Sequence, residues 1–208
     1  MKETGLMFKA PLVRAILEGR KTQTRRIVKG VGHDNCIQVR QPGKTKARVF
    51  SHVMDAPKLG LCPMGKPGDR IYVRETWANG THALAAEREE DGPFVYAADG
   101  DLAVQGRLGE RWKPAIHMPK YAARIWLEIT GVRVERLQDM SKADAVRDGG
   151  LHQLPATGRY VVNQGDQYFG MATHDPLELF REIWESTGGD WDANPWVWVI
   201  DFKPIKHS

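Results

Sequence analysis

The strongest constraint on the fold of this chain comes from two long runs in which apolar and polar residues alternate. The first run, "YAARIWLEITGVRVERL", covers residues 121–137, and the second, "NPWVWVIDF", covers residues 194–202. Neighbouring side chains of a β-strand point to opposite faces, so each run predicts a strand with one buried face. Because Gly131 interrupts the first run, we expect either one long bent strand or two strands hinged at that glycine.

Capping residues indicate three helices. Pro11 and Gly19 are typical of the first turn and of the end of a helix, which predicts a helix over residues 11–18. Ser141 precedes "KADAVRDGG", which ends on two glycines, and Asp175 precedes "PLELFREIWEST". Serine and aspartate are favoured N-caps, so we expect a helix to begin after each of them.

Two further stretches predict strands. The stretch "CIQVRQPGKTKARVF" alternates on both sides of a turn sequence, which predicts a hairpin over residues 36–50. The stretch "PGDRIYVRETW" predicts a strand that follows a turn at Pro67 and Gly68. Together these elements favour a single domain of the α+β class that is mostly β, a small β-barrel edged by short helices.

Composition is that of an ordinary globular protein. Of the 208 residues, 41% are hydrophobic and 27% are charged, a balance that disordered chains lack. No run approaches the ~18 apolar residues of a membrane span, and the first residues lack the apolar core of a signal peptide. We therefore expect a cytoplasmic protein with no membrane partner.

The cysteines raise the question of a metal site. Cys36 and Cys62 lie 26 positions apart, and His33 and His52 are near them in sequence. Structural zinc ligands usually come in close pairs, with a gap of about two to four residues. We therefore expect reduced structural thiols rather than a disulfide or a zinc site, and we expect no metal and no other cofactor.

Positive charge is concentrated near the start of the chain. Residues 9–48 contain eleven Lys or Arg and two acidic residues, although the net charge of the whole chain is only +4. Such segregation favours a face that meets a polyanion, of which nucleic acid is the commonest in the cytosol. The alternative is that these side chains are solvated on different sides of the fold.

The segment "GRKTQTRR", residues 19–26, carries four of these cations. Its Gly19, Lys21 and Arg26 match the G-x-K-x-x-x-x-R signature of the ASCH domain family. The chain is also similar to ASCH-domain proteins of prophages in "PGDRIYVRETW", "MSKADAVRDGG" and "NPWVWVIDF". The resemblance implies one ASCH domain over residues 1–208, with a β-barrel like that of the PUA domain. Insertions are then expected near residues 31–66, 79–111 and 151–174.

The resemblance also implies a function. The cleft of such domains is proposed to bind RNA or modified nucleosides, and one bacterial branch hydrolyses the amide of N4-acetylcytidine. That branch uses a Lys, a Thr three positions later and a Glu near the end of the short helix, which correspond to Lys21, Thr24 and Asp148. The third position departs from the family, since Asp is one methylene shorter than Glu. Glu75 in "VRETW" is an alternative source of the carboxylate.

Amide hydrolysis at neutral pH needs a nucleophile, a base and an acid for the leaving amine. Thr24 is the candidate nucleophile, and Lys21 is its candidate base if burial or neighbouring cations lower its pKa. In a straight strand these two side chains would point to opposite faces, so they can cooperate only if the chain bends after Gly19.

Substrate contacts are predicted around this pair. Tyr72 and Trp77 could stack on a base, and Arg74 could hydrogen-bond a pyrimidine edge with Glu75. The structural alternatives are that Trp77 belongs to the core and that Arg74 and Glu75 form a surface ion pair. The full set of predicted substrate-binding residues is Arg20, Arg25, Arg26, Tyr72, Arg74 and Trp77.

Three functions from different classes remain open on the sequence. The first is an amidohydrolase that acts on an N-acylated cytidine through Lys21 and Thr24. The second is an RNA-binding module without chemistry, whose affinity falls steeply with salt. The third is a ribonuclease, because a cationic cleft with a lysine, a hydroxyl and a carboxylate would also permit that reaction.

Overall fold

The computed structural model describes residues 1–40, 48–79, 94–100 and 111–206. Over these ranges the fold is α+β, with three α-helices, a mixed five-stranded sheet and three two-stranded sheets. The helices are α1 (Ala10–Leu17), α2 (Lys142–Gly149) and α3 (Pro176–Ser186). The large sheet contains β1 (Glu3–Met7), β2 (Gln23–Ile27), β5 (Arg70–Arg74), β8 (Trp126–Arg136) and β11 (Trp196–Ile205).

The small sheets each pair two short antiparallel strands. The hairpin predicted over residues 36–50 forms, but its turn, residues 41–47, lies outside the described residues. The pairs are β3 (Cys36–Arg40) with β4 (Arg48–His52), β6 (Trp77–Asn79) with β7 (Phe94–Tyr96), and β9 (His152–Gln153) with β10 (Tyr160–Val161).

The prediction of a mostly β, PUA-like barrel is wrong. The large sheet has the order β1-β5-β8-β11-β2, and no backbone ladder joins its edge strands β1 and β2 in the part of the chain that the structure describes. The edges approach each other through a side chain instead: Arg26 Nη2 of β2 donates to the carbonyl oxygen of Met7, 3.0 Å away, at the end of β1. The sheet is therefore open along this edge.

The two alternating runs form the centre of this sheet. Strands β8 and β11 pair antiparallel along nearly their whole length, and β8 is one strand, the first of the two predicted alternatives. A shift of register between Asp201 and Phe202 lies opposite Gly131. A side chain at Gly131 would meet Asp201 Oδ2 at 3.1 Å, so the glycine lets the two strands stay close at the bulge.

Both faces of β11 are buried, whereas the alternation predicted only one. Trp198, Ile200 and Phe202 pack in the main core on one face. Val197 and Val199 pack on the other face in a second cluster, to which α3 contributes Phe180 and Trp184. The residues 31–66 that the resemblance marks as an insertion also reach the main core, through Ile37, Val53, Ala56, Leu61, Cys62 and Met64.

Helix ends follow the capping residues of the sequence. Ser141 Oγ accepts a hydrogen bond from the Asp144 amide at the start of α2, and Asp175 accepts one from the Leu177 amide at the start of α3.

Of the helices in the described ranges, none is long and apolar enough to cross a bilayer. Within the same ranges, no group of three or more His, Cys, Asp or Glu side chains could hold a metal ion.

Candidate functional site

A cleft of about 1210 Å³ lies along the open edge of the large sheet. The end of β1, most of β2 and the C-terminal half of α3 contribute to its wall, together with residues 61–64. Aromatic side chains form part of this wall, and they are Phe8, Phe180, Trp184 and Trp198. Of the predicted site residues, the wall includes Lys21, Thr24, Arg25, Arg26 and Asp148.

The chain bends after α1, at the place where the predicted cooperation of Lys21 and Thr24 needs a bend. Helix α1 ends at Leu17, and Gly19 takes a left-handed conformation with φ of 73°. The amides of the next two residues, including Lys21, both donate to the carbonyl oxygen of Ala15. Lys21 therefore lies before β2 begins at Gln23, and it lines the same cleft as Thr24 rather than the opposite face of a strand.

Lys21 and Asp148 form a buried ion pair. Lys21 Nζ lies 2.6 Å from Asp148 Oδ1, and it also donates to the carbonyl oxygens of Asp148 and, at 2.8 Å, of Gln23. These three acceptors use all three N–H bonds of an ammonium group. Burial lowers the pKa of Lys21 most, Asp148 opposes this shift, and the nearby Arg26 and Arg25 lower the pKa further.

The end of α2 comes close enough to α1 for the shorter aspartate to reach Lys21. Gly150 ends α2 with φ of 60°, and a Cβ atom there would lie 2.4 Å from the Cβ of Ala15 and 3.3 Å from that of Lys21. Because no side chain separates the two backbones, the carbonyl group of Asp148 also contacts Lys21. Asp148 therefore reaches Lys21 with both its side chain and its backbone.

Arg25 holds Asp148 in place. Its guanidinium is buried, and Nη1 donates to Asp148 Oδ2 at 3.0 Å and to Gln23 Oε1 at 2.6 Å. Its Nη2 lies 2.5 Å from Glu135 Oε1 and 3.7 Å from an oxygen of Asp144. Three carboxylates thus surround the Arg25 guanidinium, which the sequence analysis predicted to bind the substrate. In this geometry Arg25 positions Asp148 instead.

Arg26 contacts the candidate nucleophile directly. Its Nη1 donates to Thr24 Oγ1 at 2.8 Å and to the carbonyl oxygen of Arg25 at 2.9 Å. The guanidinium carbon lies 5.1 Å from the ring centre of Phe8, and the same ring lies 5.8 Å from Lys21 Nζ. Burial lowers the pKa of Arg26, and Asp148 partly opposes this shift. A hydroxyl that accepts from a cation keeps its own proton free for donation.

Glu75 does not reach this cleft, although the sequence made it an alternative carboxylate. It is buried, and its two oxygens each accept from Arg124, at 3.0 Å, while Arg124 also pairs with Asp99. Burial raises the pKa of Glu75, and the hydrogen bonds from Arg124 oppose that shift. Among the described residues, the carboxylate on the cleft wall is that of Asp148 alone.

The remaining predicted contacts also lie outside the described cleft wall. Arg20 pairs with Glu18, and Arg74 donates to the carbonyl oxygens of Met118 and Ile116. Tyr72 packs against Trp126, with ring centres 5.7 Å apart. Trp77 is buried in a cluster with Tyr96, Met118 and Ala122. It therefore belongs to the core, which was the structural alternative to base stacking in the sequence analysis.

Some residues of the site carried no functional signal in the sequence. Glu135 binds Arg25 from a position 110 residues further along the chain, where it looks like any solvent-facing charge of an alternating strand. Phe8 lies in the short link between β1 and α1, and Phe180 belongs to the apolar stripe of α3. Only the fold indicates that both aromatic rings face cations of the site.

No family model matches this chain, and no solved structure matches it. The resemblance to the ASCH domain family therefore stays a prediction from the residues that carry it.

Proposed function

We propose that the cleft binds an N-acylated cytidine, as a nucleoside or within RNA, and hydrolyses its exocyclic amide. The observation that carries the proposal is the meeting of Lys21, Thr24 and Asp148 in the wall of one cleft, although Asp148 is 127 positions from Lys21. The sequence resemblance to the ASCH family involves the same positions and supports the same reaction.

Thr24 is the nucleophile in this proposal. Its Oγ1 accepts from Arg26 at 2.8 Å, so the cation favours the negative charge that develops on this oxygen as its proton leaves. The Oγ1 atom attacks the carbonyl carbon of the acyl group, which forms an ester bond to Thr24 as the bond to the exocyclic nitrogen of the base breaks. A water molecule then hydrolyses the ester and frees the acid.

Lys21 transfers the proton from the Thr24 hydroxyl to the leaving group. In its neutral form the amine takes the hydroxyl proton of Thr24, and the resulting ammonium gives a proton to the leaving nitrogen of the base. Burial favours the neutral form of Lys21 because it lowers the pKa of this side chain. Asp148, 2.6 Å away, accepts a hydrogen bond from the ammonium and can take up the proton that Lys21 must release before the attack.

A binding function without chemistry is the second candidate, and burial is the observation that favours it. Lys21 and Thr24 are each only 1% exposed, so a substrate reaches their polar atoms only after neighbouring side chains move. If these side chains do not move, the cleft holds a ligand against its cationic wall and leaves it intact. The ribonuclease alternative stays a prediction from sequence.

Deacylation of N4-acetylcytidine, followed by ultraviolet absorbance, tests the first candidate. We expect turnover by the wild type, loss of turnover in Lys21→Ala and Thr24→Ala, and partial activity in Thr24→Ser, which keeps a hydroxyl. Thr157→Ala, on an exposed turn, is the matched control and should behave as the wild type. Unchanged turnover in Thr24→Ala would eliminate Thr24 as the nucleophile.

A gel with labelled single-stranded RNA separates the other two candidates. Retention of intact RNA together with no deacylation in the first assay would replace the amidohydrolase proposal with the binding function. Shortened RNA products that disappear in Lys21→Ala would indicate the ribonuclease instead.

A further inference from the structure

More cationic than acidic residues line the cleft, although Glu135 and Asp144 also pair with one of the cations, Arg25. Among the residues that the structure describes, six cations line the cleft and one carboxylate does. That carboxylate, Asp148, is already bound to Lys21 and Arg25. The six cationic residues are Lys2, Lys9, Lys21, Arg25, Arg26 and Lys29.

Three of these cations are exposed lysines at the rim, namely Lys2, Lys9 and Lys29. Lys2 Nζ donates to the carbonyl oxygen of Pro63, and Lys9 Nζ donates to that of Ser186. Over the described ranges no carboxylate lies within ion-pair distance of the three ammonium groups. The Asp69 carboxylate is near Lys2 but accepts from its backbone amide. Among the described residues, no carboxylate neutralises their charge, so an anionic ligand can do so.

A neutral nucleoside offers this rim no partner. Its base suits the apolar and aromatic part of the wall, where Phe180, Trp184 and Trp198 lie, but its ribose brings no charge to the lysines. A phosphate on the ribose does bring one, and its oxygens accept well from lysine ammonium groups.

The position of Lys29 relative to Thr24 fits this division of roles. Lys29 lies in the turn that follows β2, five positions after Thr24, so their Cα atoms are at most about 16 Å apart. The long lysine side chain can fold back over part of that distance. A phosphate held by Lys29 would thus lie at the other end of a nucleotide from an acyl group held at Thr24.

We propose that the substrate is a phosphorylated cytidine derivative, with its phosphate bound at the rim by Lys9 and Lys29. The identity of the base rests on the function proposed above, whereas the phosphate subsite rests on the charge of the wall. The phosphate can come from a free nucleotide or from an RNA strand. A strand would in addition engage Lys2, which lies at the opposite end of β1 from Lys9.

Calorimetric titration with cytidine, cytidine 5′-monophosphate and a short cytidine oligoribonucleotide tests the subsite without requiring turnover. At low salt we expect the monophosphate to bind about tenfold or more tightly than cytidine. Lys9→Ala and Lys29→Ala should each remove much of that preference and leave cytidine binding unchanged. Lys203→Ala is the control, because it also removes one lysine charge but from a residue that is not among those lining the cleft. This variant should still bind the monophosphate more tightly than cytidine.

The ligands also distinguish the two sources of phosphate. If the oligonucleotide binds more tightly than the monophosphate, with a steeper salt dependence and a loss in Lys2→Ala, the source is RNA. If both phosphorylated ligands bind alike and Lys2→Ala has no effect, the source is a free nucleotide. Equal affinities for cytidine and its monophosphate in the wild type would overturn the subsite. That result would leave deacylation of N4-acetylcytidine untouched, so failure of either proposal can be seen separately.

Discussion

Lys21 Nζ lies 2.6 Å from Oδ1 of Asp148, and both side chains are almost completely buried. The pair joins the bend after α1 to the end of α2, two segments that are 127 positions apart in sequence. Taking two charges out of water is costly, and the cost is offset only while both charges stay paired and hydrogen-bonded. The candidate site is therefore also a structural connection, and changes in it affect folding as well as the proposed chemistry.

Asp148→Asn should destabilise the protein by about 3 kcal/mol. The substitution keeps the shape of the side chain but removes the charge that balances Lys21 and Arg25. Urea unfolding at neutral pH measures the loss. Glu185→Gln is the control, since it breaks a half-exposed pair with Arg181 on α3 and should destabilise the protein far less, because water screens a surface pair. Equal losses in the two variants would mean that the buried pair contributes no more than a surface pair.

Arg26→Met should lower kcat/KM for deacylation by about tenfold or more, because Thr24 loses its charged donor. The pH profile should move as well. Arg26 contributes to the lowered pKa of Lys21, so removing this cation raises that pKa, and the base form of Lys21 then appears only at higher pH. The rising limb of kcat/KM against pH should move to the alkaline side. A uniform loss of rate with an unmoved limb would exclude Lys21 as the titrating base.

The local elements could be predicted from sequence because their signals are local. Alternation alone indicates β8 and β11, and Ser141 and Asp175 mark the starts of α2 and α3. Whether the sheet closes into a barrel could not be predicted from such local signals. The parallel pairing of β1 with β5 joins segments that are far apart in the chain. The contact between β1 and β2 runs from the Arg26 side chain to a backbone carbonyl, for which the alternation pattern carries no signal.

The candidate site was predictable only in part, for a similar reason. The resemblance indicates Lys21, Thr24 and Asp148 by position, yet it carries no information on their partners. A charge such as Glu135 or Glu75 looks the same in sequence whether it faces solvent or binds an arginine. The fold decides that Glu135 joins the site through Arg25 and that Glu75 binds Arg124 elsewhere.

Acid should weaken the protein through Asp144. Burial alone would raise the pKa of this carboxyl, but hydrogen bonds from Arg147, Ser141 and Gln23 lower it to about 2. A folded pKa below the unfolded value of about 3.9 gives stability that is complete above the unfolded pKa and is lost as the pH falls toward the folded one.

The size of that contribution is about 1–2 kcal/mol, since its partner Arg147 is half-exposed to solvent. Urea unfolding of the wild type and of Asp144→Asn at pH 5 and at lower pH measures it. The difference in unfolding free energy between the two proteins should shrink as the pH approaches 2. A difference that does not change with pH would show that the Asp144 charge is not responsible.

Gly150 allows α2 to approach Lys21, and its replacement should be more costly than that of another glycine with the same backbone. Gly150 and Gly158 have φ values of 60° and 68°, so alanine carries a similar conformational penalty of about 1 kcal/mol at either position. A Cβ atom at Gly158 meets nothing within 4 Å, whereas one at Gly150 would lie 2.4 Å from the Cβ of Ala15.

Gly150→Ala must therefore push the end of α2 away from α1, which adds about 1–3 kcal/mol of overpacking. We expect Gly158→Ala to lose only the conformational part in urea unfolding. Because the same shift withdraws Asp148 from Lys21, Gly150→Ala should also lower deacylation at temperatures where it is still folded, and Gly158→Ala should not. Equal losses of stability in the two variants would indicate that the two helices can separate without cost, and that the reach of Asp148 does not depend on this glycine.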